Sequence, residues 1–353
     1  MYVGAFYGGK DGSGGPAAQA AARDPRIHCA ANGQEPGSGS TAQQNAMSYW
    51  ITDFERSCSH VQIAYNPVGS TAGVAQFLRG ATAFGGTDSP VKPEDATPAP
   101  GVCPGGRVIN LPMVGGPIAI GYNLPGVDDL VLDAKTLAKI FDLKITTWDD
   151  PAIRHLNPRA QLPSLPIQPV HRADGSGTSQ NFQAYLAGAV PGFWVHPAEK
   201  AWQGRGGNAA DGSDGVASTV TSTVGAIGYF ELSFASRLHI ATVRIDTGAS
   251  APVAATTKSA SAGIAAAKTV GKNKDLTLKF DYQTSADGTY PIVLVTYESV
   301  CDKGNQKETL PALKSFLSYA AGEAGQEKLP DVHYAPLPAG VASHVREVIR
   351  TLS

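Results

Sequence analysis

The sequence predicts an α/β protein built as two lobes, and three observations carry that expectation. The chain has 353 residues, more than one ordinary core holds and enough for two of roughly 150 residues each. Short apolar strand patterns alternate with helix patterns along it, which implies layers with mainly parallel sheets. Small-residue loops rich in hydroxyls join strand to helix at three separate places.

Taken in order, residues 1–36 are rich in Gly, Ala, Gln and Pro without a sustained period and read as a flexible N-terminal arm. From Thr41 onward Ala46, Met47, Trp50, Ile51 and Phe54 recur at helical spacing, and Ser40-Thr41 stands where N-caps belong, so a helix is expected immediately after Gly39. Val61 to Tyr65 reads as a strand that enters Gly69-Ser70-Thr71-Ala72-Gly73 and a second helix through Val74, Phe77 and Leu78. Residues 92–108, rich in Pro and Gly with Cys103 inside, read as a surface excursion held by a disulfide. Next come an apolar strand at Ile118 to Tyr122, a helix near 133–141, the Trp148-Asp149-Asp150-Pro151 turn, a helix to His155 and a strand at Ile167 to His171. That strand runs into Arg172-Ala173-Asp174-Gly175-Ser176-Gly177-Thr178 and a helix through Phe182 to Leu186. Short strands are expected at Ala226 to Phe230 and Ile292 to Thr296, and a final helix near 309–321.

Composition excludes several partners. Hydrophobic residues make up 42% and charged residues 16%, as in globular proteins, and no apolar run approaches the roughly 20 residues that span a bilayer. A formal net charge of -2 leaves no basic face of the size that nucleic acid requires, so a small ligand is the expected partner. The eight histidines are scattered, without HExxH or a metal-ligand cluster, and no P-loop occurs, so neither a metal nor another cofactor is expected. Cys29, Cys58, Cys103 and Cys301 include no pair at two-residue spacing. Their even number suits two disulfides in an oxidising compartment, against the alternative of four reduced thiols in the cytosol. Met1 to Lys10 shows no basic start followed by an apolar stretch, and Cys29 follows Arg26-Ile27-His28 rather than a lipoprotein cleavage pattern. Either a leader is missing from this sequence or export is in doubt.

Gly39-Ser40-Thr41, Gly69-Ser70-Thr71 and Gly175-Ser176-Gly177-Thr178 each place orphan N–H groups and a positive dipole end at a helix start. One such loop reads equally well as simple capping. Three that converge would nearly encircle an oxyanion. Arg172 adds a planar fork that can donate two parallel hydrogen bonds to one tetrahedral anion. Asp174, two residues on, either orients that guanidinium or forms an ordinary surface ion pair with it. Phe84-Gly85-Gly86-Thr87-Asp88-Ser89-Pro90 sharpens the ligand. A carboxylate facing an anion repels it unless the ligand carries a proton to donate. Hydrogen phosphate has that proton and sulfate does not at neutral pH, so Asp88 would reject sulfate. The alternative for Asp88 is a local turn-forming hydrogen bond.

Together these residues resemble the phosphate-binding proteins of bacterial phosphate-specific (Pst) ABC transporters, particularly the actinobacterial type, over about residues 29–350. The 172–178 motif is the most specific part, with the 84–90 motif and Gly39-Ser40-Thr41-Ala42 in the expected order before it. Gly69 to Gly73, Ile145-Thr146-Thr147-Trp148-Asp149-Asp150-Pro151 and Gly225-Ala226-Ile227-Gly228-Tyr229 support it. The resemblance implies a two-lobed type II periplasmic-binding-protein (Venus-flytrap) fold with two hinge crossovers. It implies phosphate contacts from Ser40, Thr41, the Ala42 N–H, Ser70, Asp88, Arg172, Ser176, Gly177 and Thr178, with Asp174 holding Arg172. It implies disulfides Cys29 to Cys58 and Cys103 to Cys301, among three possible connectivities. Lobe I would comprise 37–114 and 293–353, and lobe II 115–292, with crossings near Val114-Gly115-Gly116 and Tyr290-Pro291-Ile292. A monomer outside the cytoplasm is implied, periplasmic or at the cell surface, with a lipid anchor in the full-length form left open. It would deliver phosphate to membrane permease subunits served by a separate ATPase. A binder of another oxyanion such as sulfate, and a phosphatase-like enzyme, are the alternatives. Against the enzyme, Ser176 has Asp174 where a Gly-x-Ser-x-Gly elbow needs its first glycine.

Overall fold

The structure is a computed structural model that describes residues 24–353. Strand β1 (Gly33–Gly39), helix α1 (Gln44–Ser57), strand β2 (Val61–Pro67), helix α2 (Ser70–Leu78) and strand β3 (Phe84–Thr87) come first. A 15-residue strand, β4 (Val108–Tyr122), is followed by β5 (Val131–Asp133), α3 (Ala134–Phe141), α4 (Pro151–Leu156), β6 (Gln168–Arg172) and α5 (Gly177–Ala189). Then come β7 (Asn208–Ala210), α6 (Gly212–Ser222), β8 (Ala226–Glu231), α7 (Leu232–Leu238), β9 (Ala241–Thr242), β10 (Arg244–Asp246) and α8 (Thr257–Ala265). The small hairpin β11 (Lys268–Thr269) and β12 (Leu278–Lys279) precedes β13 (Val293–Cys301), α9 (Leu310–Ala320), α10 (Glu323–Gln326) and α11 (Ala339–Arg350).

The main sheet is ordered β2-β1-β3-β13-β4-β8-β6-β7, with β9 also on β4. Its pairings are parallel within β2-β1-β3 and within β8-β6-β7, and antiparallel where β13 and β4 join them. Strand β4 is buried along its whole length, pairing with β13 over residues 108–117 and with β8 over 118–122. One strand therefore belongs to two half-sheets. The return passage lies beside this switch: Ile118 N donates to Ile292 O at 2.7 Å and Tyr290 Oη donates to Ile118 O at 2.9 Å.

Packing explains the local choices. Ala46, Met47, Trp50 and Phe54 form the buried face of α1, and Phe54 meets Phe316 and Tyr319 of α9 with ring centroids 5.4 Å away in each case. Burying side chains of this size contributes about 1.5–3 kcal/mol each. Trp148 Nε1 donates to Gly225 O at 3.0 Å, so the 145–151 and 225–229 motifs meet in the core. The disulfides are Cys29–Cys58 and Cys103–Cys301, the pairing the resemblance implies. The second fastens the 92–108 excursion to the end of β13, where Phe77, Cys103, Val108 and Cys301 pack together.

The structure corrects four expectations. Residues 1–23 lie outside the described residues, but 24–36 do not behave as an arm: Cys29 is tied to the end of α1, and residues 33–36 belong to β1. Strand character is imposed there by the neighbours, since a Cβ on Gly37 would lie 2.1 Å from the Phe84 ring and one on Gly39 would lie 2.0 Å from Gly86 O. Helix α1 starts at Gln44, not after Gly39, because residues 40–43 form a turn in which Ala42 N donates to Ser40 Oγ at 3.0 Å. Helix α11 follows the helix expected to be last. Finally, part of the 115–292 stretch rests on the first half-sheet: Leu276 N donates to Asn110 O and Leu278 N to Tyr297 Oη, both at 3.0 Å.

Candidate functional site

The three strand-loop-helix units expected from the sequence are β1 to α1, β2 to α2 and β6 to α5, and their loops meet where the half-sheets face each other. Asp88, just after β3, stands at the meeting point and is 2% exposed. Thr178 Oγ1, from the first turn of α5, donates to Asp88 Oδ2 at 2.9 Å, and Thr296 Oγ1 of β13 donates to Oδ1 at 3.0 Å. The Ser40 hydroxyl is near enough to the same carboxyl to favour its charged form. Burial pushes Asp88 up, while these three hydroxyls and the nearby Arg172 charge pull against it. Two hydroxyl donors on one carboxylate are what an ionised group accepts; its lone pairs leave room for a further O–H.

Ser70 Oγ, at the first position of α2, accepts from Gly177 N at 3.1 Å and from Asp88 N at 3.4 Å. Thr71 N donates across to Gly175 O at 3.0 Å. The start of α2 thus abuts the start of α5. Gly69, the cap of α2, has φ of 89°, and a Cβ there would lie 2.3 Å from Asp174 Oδ2, so both conformation and space require glycine.

Arg172 ends β6 and is 2% exposed. Its Nε donates to Asp174 Oδ1 at 2.6 Å and its Nη2 donates to Asp174 Oδ2. One edge of the guanidinium is therefore held by Asp174, and among the described residues Nη1 makes no side-chain hydrogen bond. Burial acts upward on Asp174, but the Arg172 bonds and charge and the Gly212 N–H outweigh it and hold the carboxyl below its usual range. The pair is a fixed one rather than a loose surface contact.

Some expected ligand groups are engaged otherwise. Thr41 Oγ1 accepts from Ser213 N at 3.0 Å and lies 3.0 Å from Ser213 Oγ. Ala42 N is turned onto Ser40 Oγ, Gly177 N onto Ser70 Oγ, and Ser176 Oγ caps α5 by accepting from Ser179 N at 3.2 Å. Ser213 and Thr296 went unnoticed in the sequence. Ser213 had a signal: Ala210-Asp211-Gly212-Ser213 repeats Ala173-Asp174-Gly175-Ser176, and β7 to α6 is a fourth strand-loop-helix unit. Thr296 had none, since inside an apolar strand it reads as a β-branched core residue.

A cavity of ≈880 Å³ touches Asp88, and its lining includes Lys92, Arg107, Lys272 and Lys279. Among the described residues, no group of three His, Cys, Asp or Glu could hold a metal ion.

A family model described as a PBP superfamily domain matches residues 28–324. The chain is 42% identical over 332 residues to the phosphate-binding protein PstS2 of Mycobacterium bovis, with 93% of this chain and 89% of the relative covered. To the phosphate-binding protein PstS 3 of Mycobacterium tuberculosis it is 41% identical over 345 residues, covering 97% and 92%. A DING protein crystal structure superposes with a TM-score of 0.72 at 22% identity, over 89% of this chain and 93% of that one. A putative phosphate ABC transporter substrate-binding protein with bound phosphate, from Clostridium perfringens, gives 0.62 at 22% identity over 86% and 100%. These likenesses give the fold as that of the type II periplasmic binding proteins.

Proposed function

The chain belongs to the phosphate-binding proteins of the PBP superfamily, and from that membership we propose that it captures inorganic phosphate outside the cytoplasmic membrane and delivers it to the permease of a phosphate-import ABC transporter. The family is one of transport binding proteins, and no catalysis is part of the reading. The observation that carries it is Asp88. A carboxylate collects hydroxyls from both half-sheets at the point where Arg172 and the starts of α2 and α5 converge. An anion held there meets Asp88 favourably only if it brings a proton, which selects hydrogen phosphate over sulfate.

Ser40, Ser70, Asp88, Arg172 and Thr178 form the binding set, with the N–H groups of Ala42 and Gly177 and the hydroxyls of Thr41 and Ser176 at its edge. Asp174 orients Arg172. Lobe I is 37–114 with 293–353, extended by residues 24–36, and lobe II is 115–292, with the 274–278 segment lying against lobe I. The cationic rim of Lys92, Arg107, Lys272 and Lys279 draws the anion toward Asp88. Contacts such as Thr41 to Ser213 and Asp88 to Thr178 join the lobes, so an anion that bridges them favours the closed form by its differential contacts. Closure is what the permease reads. The two disulfides suit an oxidising, extracytoplasmic location, and the working form is a monomer.

Small-angle scattering of the purified protein tests this reading. Phosphate is expected to reduce the radius of gyration, and Thr41→Val and Thr178→Val each to diminish that compaction. An unchanged radius at saturating phosphate would mean a rigid pocket instead of a clamp.

A further inference from the structure

A second carboxyl lies behind the anion loops and takes no part in the contacts described so far. Glu298 stands on β13 opposite Gly86 of β3, 1% exposed, and neither of its oxygens has a hydrogen-bond partner. Its polar neighbour is the Gln43 side chain, whose Oε1 is likewise without a donor. Gln43 Nε2 donates to Tyr65 Oη at 2.9 Å, and Tyr65 Oη donates to Ser40 O at 2.9 Å. This row fills the space beside Gly86, where a Cβ would lie 2.1 Å from Gln43 Nε2 and 2.5 Å from Tyr65 Oη. Ser40 in turn accepts the Ala42 N–H, and its hydroxyl is near the Asp88 carboxyl. A line of side chains thus runs from Glu298 to the wall of the site.

Ionised, Glu298 is an acceptor only, and the most its surroundings offer is the second hydrogen of an amide already bonded to Tyr65. Protonated, it donates, and Gln43 Oε1 is the acceptor that lacks a donor. The charged and titratable groups that face it are the Asp88 carboxylate and the Tyr65 phenol. Among the described residues no cation acts to keep it ionised. Burial pushes Glu298 up to about 8, with Asp88 adding to the effect and Gln43 opposing it.

We propose that Glu298 is a positioning residue that works in its protonated form, holding Gln43 and, through Tyr65, the Ser40 turn in the arrangement that receives hydrogen phosphate. This deepens the phosphate reading and rests on it. Loss of the proton breaks the donation to Gln43 and adds a buried negative charge on the Asp88 side of the bound anion. By linkage, an anion that raises the Glu298 pKa by one unit binds about tenfold more weakly once that proton is gone.

The test measures phosphate affinity calorimetrically between about pH 7 and pH 9.5 for the unmodified protein, Glu298→Gln and Glu298→Ala, with infrared spectra of the protonated-carboxyl band over the same range. Glutamine keeps the shape and a donor for Gln43 Oε1 but cannot titrate. The affinity of the unmodified protein is expected to fall about tenfold more across this range than that of Glu298→Gln. Glu231 is also buried and pushed up to about 8, so the readout is the difference between the two proteins: the carboxyl band of the unmodified protein should exceed that of Glu298→Gln at neutral pH, with the excess fading as the pH rises, and Glu298→Ala should lose affinity already at neutral pH, which glutamine restores in part. Parallel pH profiles for the unmodified protein and Glu298→Gln overturn the proposal, as does the same carboxyl band in both. If the unmodified protein takes up no phosphate at any pH, it is the phosphate reading that fails, and the infrared band still decides whether Glu298 carries a proton.

Discussion

Replacing Arg172 by lysine separates charge from geometry at the anion site. The guanidinium uses Nε and Nη2 to grip both oxygens of Asp174, and in the proposed role its remaining edge faces the anion. Lysine keeps the charge, but its single ammonium cannot hold Asp174 and present two parallel donors at once. At least one charge-assisted bond to phosphate is lost, about 1.5–3 kcal/mol, and the ammonium is no longer aimed by its partner. A total of about 2–4 kcal/mol corresponds to roughly 30- to 700-fold in Kd. Asp174→Asn, which weakens the grip but leaves the guanidinium, should fall between the two. Calorimetric titration with phosphate measures all three proteins, and circular dichroism confirms that each is folded. A Kd for Arg172→Lys within about threefold of the unmodified value would remove Arg172 from the site, since that is less than one such bond.

Asp88→Asn should weaken phosphate modestly and raise sulfate affinity, because a neutral amide can donate to an anion lacking a proton; competition binding reads the ratio, and an unchanged ratio contradicts the role given to Asp88. Because burial raises the Asp88 pKa, acid should protonate it sooner than an ordinary aspartate, so sulfate binding should strengthen as pH falls; sulfate affinity that is flat or declining with acid argues against it. Removing the Cys103–Cys301 bridge as Cys103→Ser with Cys301→Ser opens a 198-residue separation and should cost about 2–5 kcal/mol of stability in urea unfolding; an unchanged midpoint would show that the excursion is held by packing alone.

The sequence made visible those parts of the fold whose pattern is local. Helix α1 shows its apolar face at helical spacing, and the loops at 69–73 and 172–178 carry their own small-residue and hydroxyl signature. Strand β1, Gly-Gln-Glu-Pro-Gly-Ser-Gly, carries no strand pattern because its extension is fixed by β2 and β3 on either side and by the close approach of Phe84 and Gly86. Of the site, Asp88, Arg172 and Asp174 were legible through charge in unusual company. Thr296 and Glu298 were not, because their partners Asp88 and Gln43 lie more than two hundred residues away and only the sheet order β3-β13 brings them together. The turns taken by the Ala42 and Gly177 N–H groups were beyond reach too, since backbone direction within a loop depends on what the opposite loop offers.

The central claim is that a carboxylate placed among anion-binding loops selects a protonated oxyanion. Titrating the purified protein with phosphate and then with sulfate, near neutral pH and at fixed ionic strength, tests it most directly. One phosphate should bind per chain, and sulfate should bind on the order of 10⁴-fold more weakly, the discrimination of a site built around a ligand hydroxyl. Sulfate affinity within tenfold of phosphate, or no heat of binding with phosphate, would contradict it.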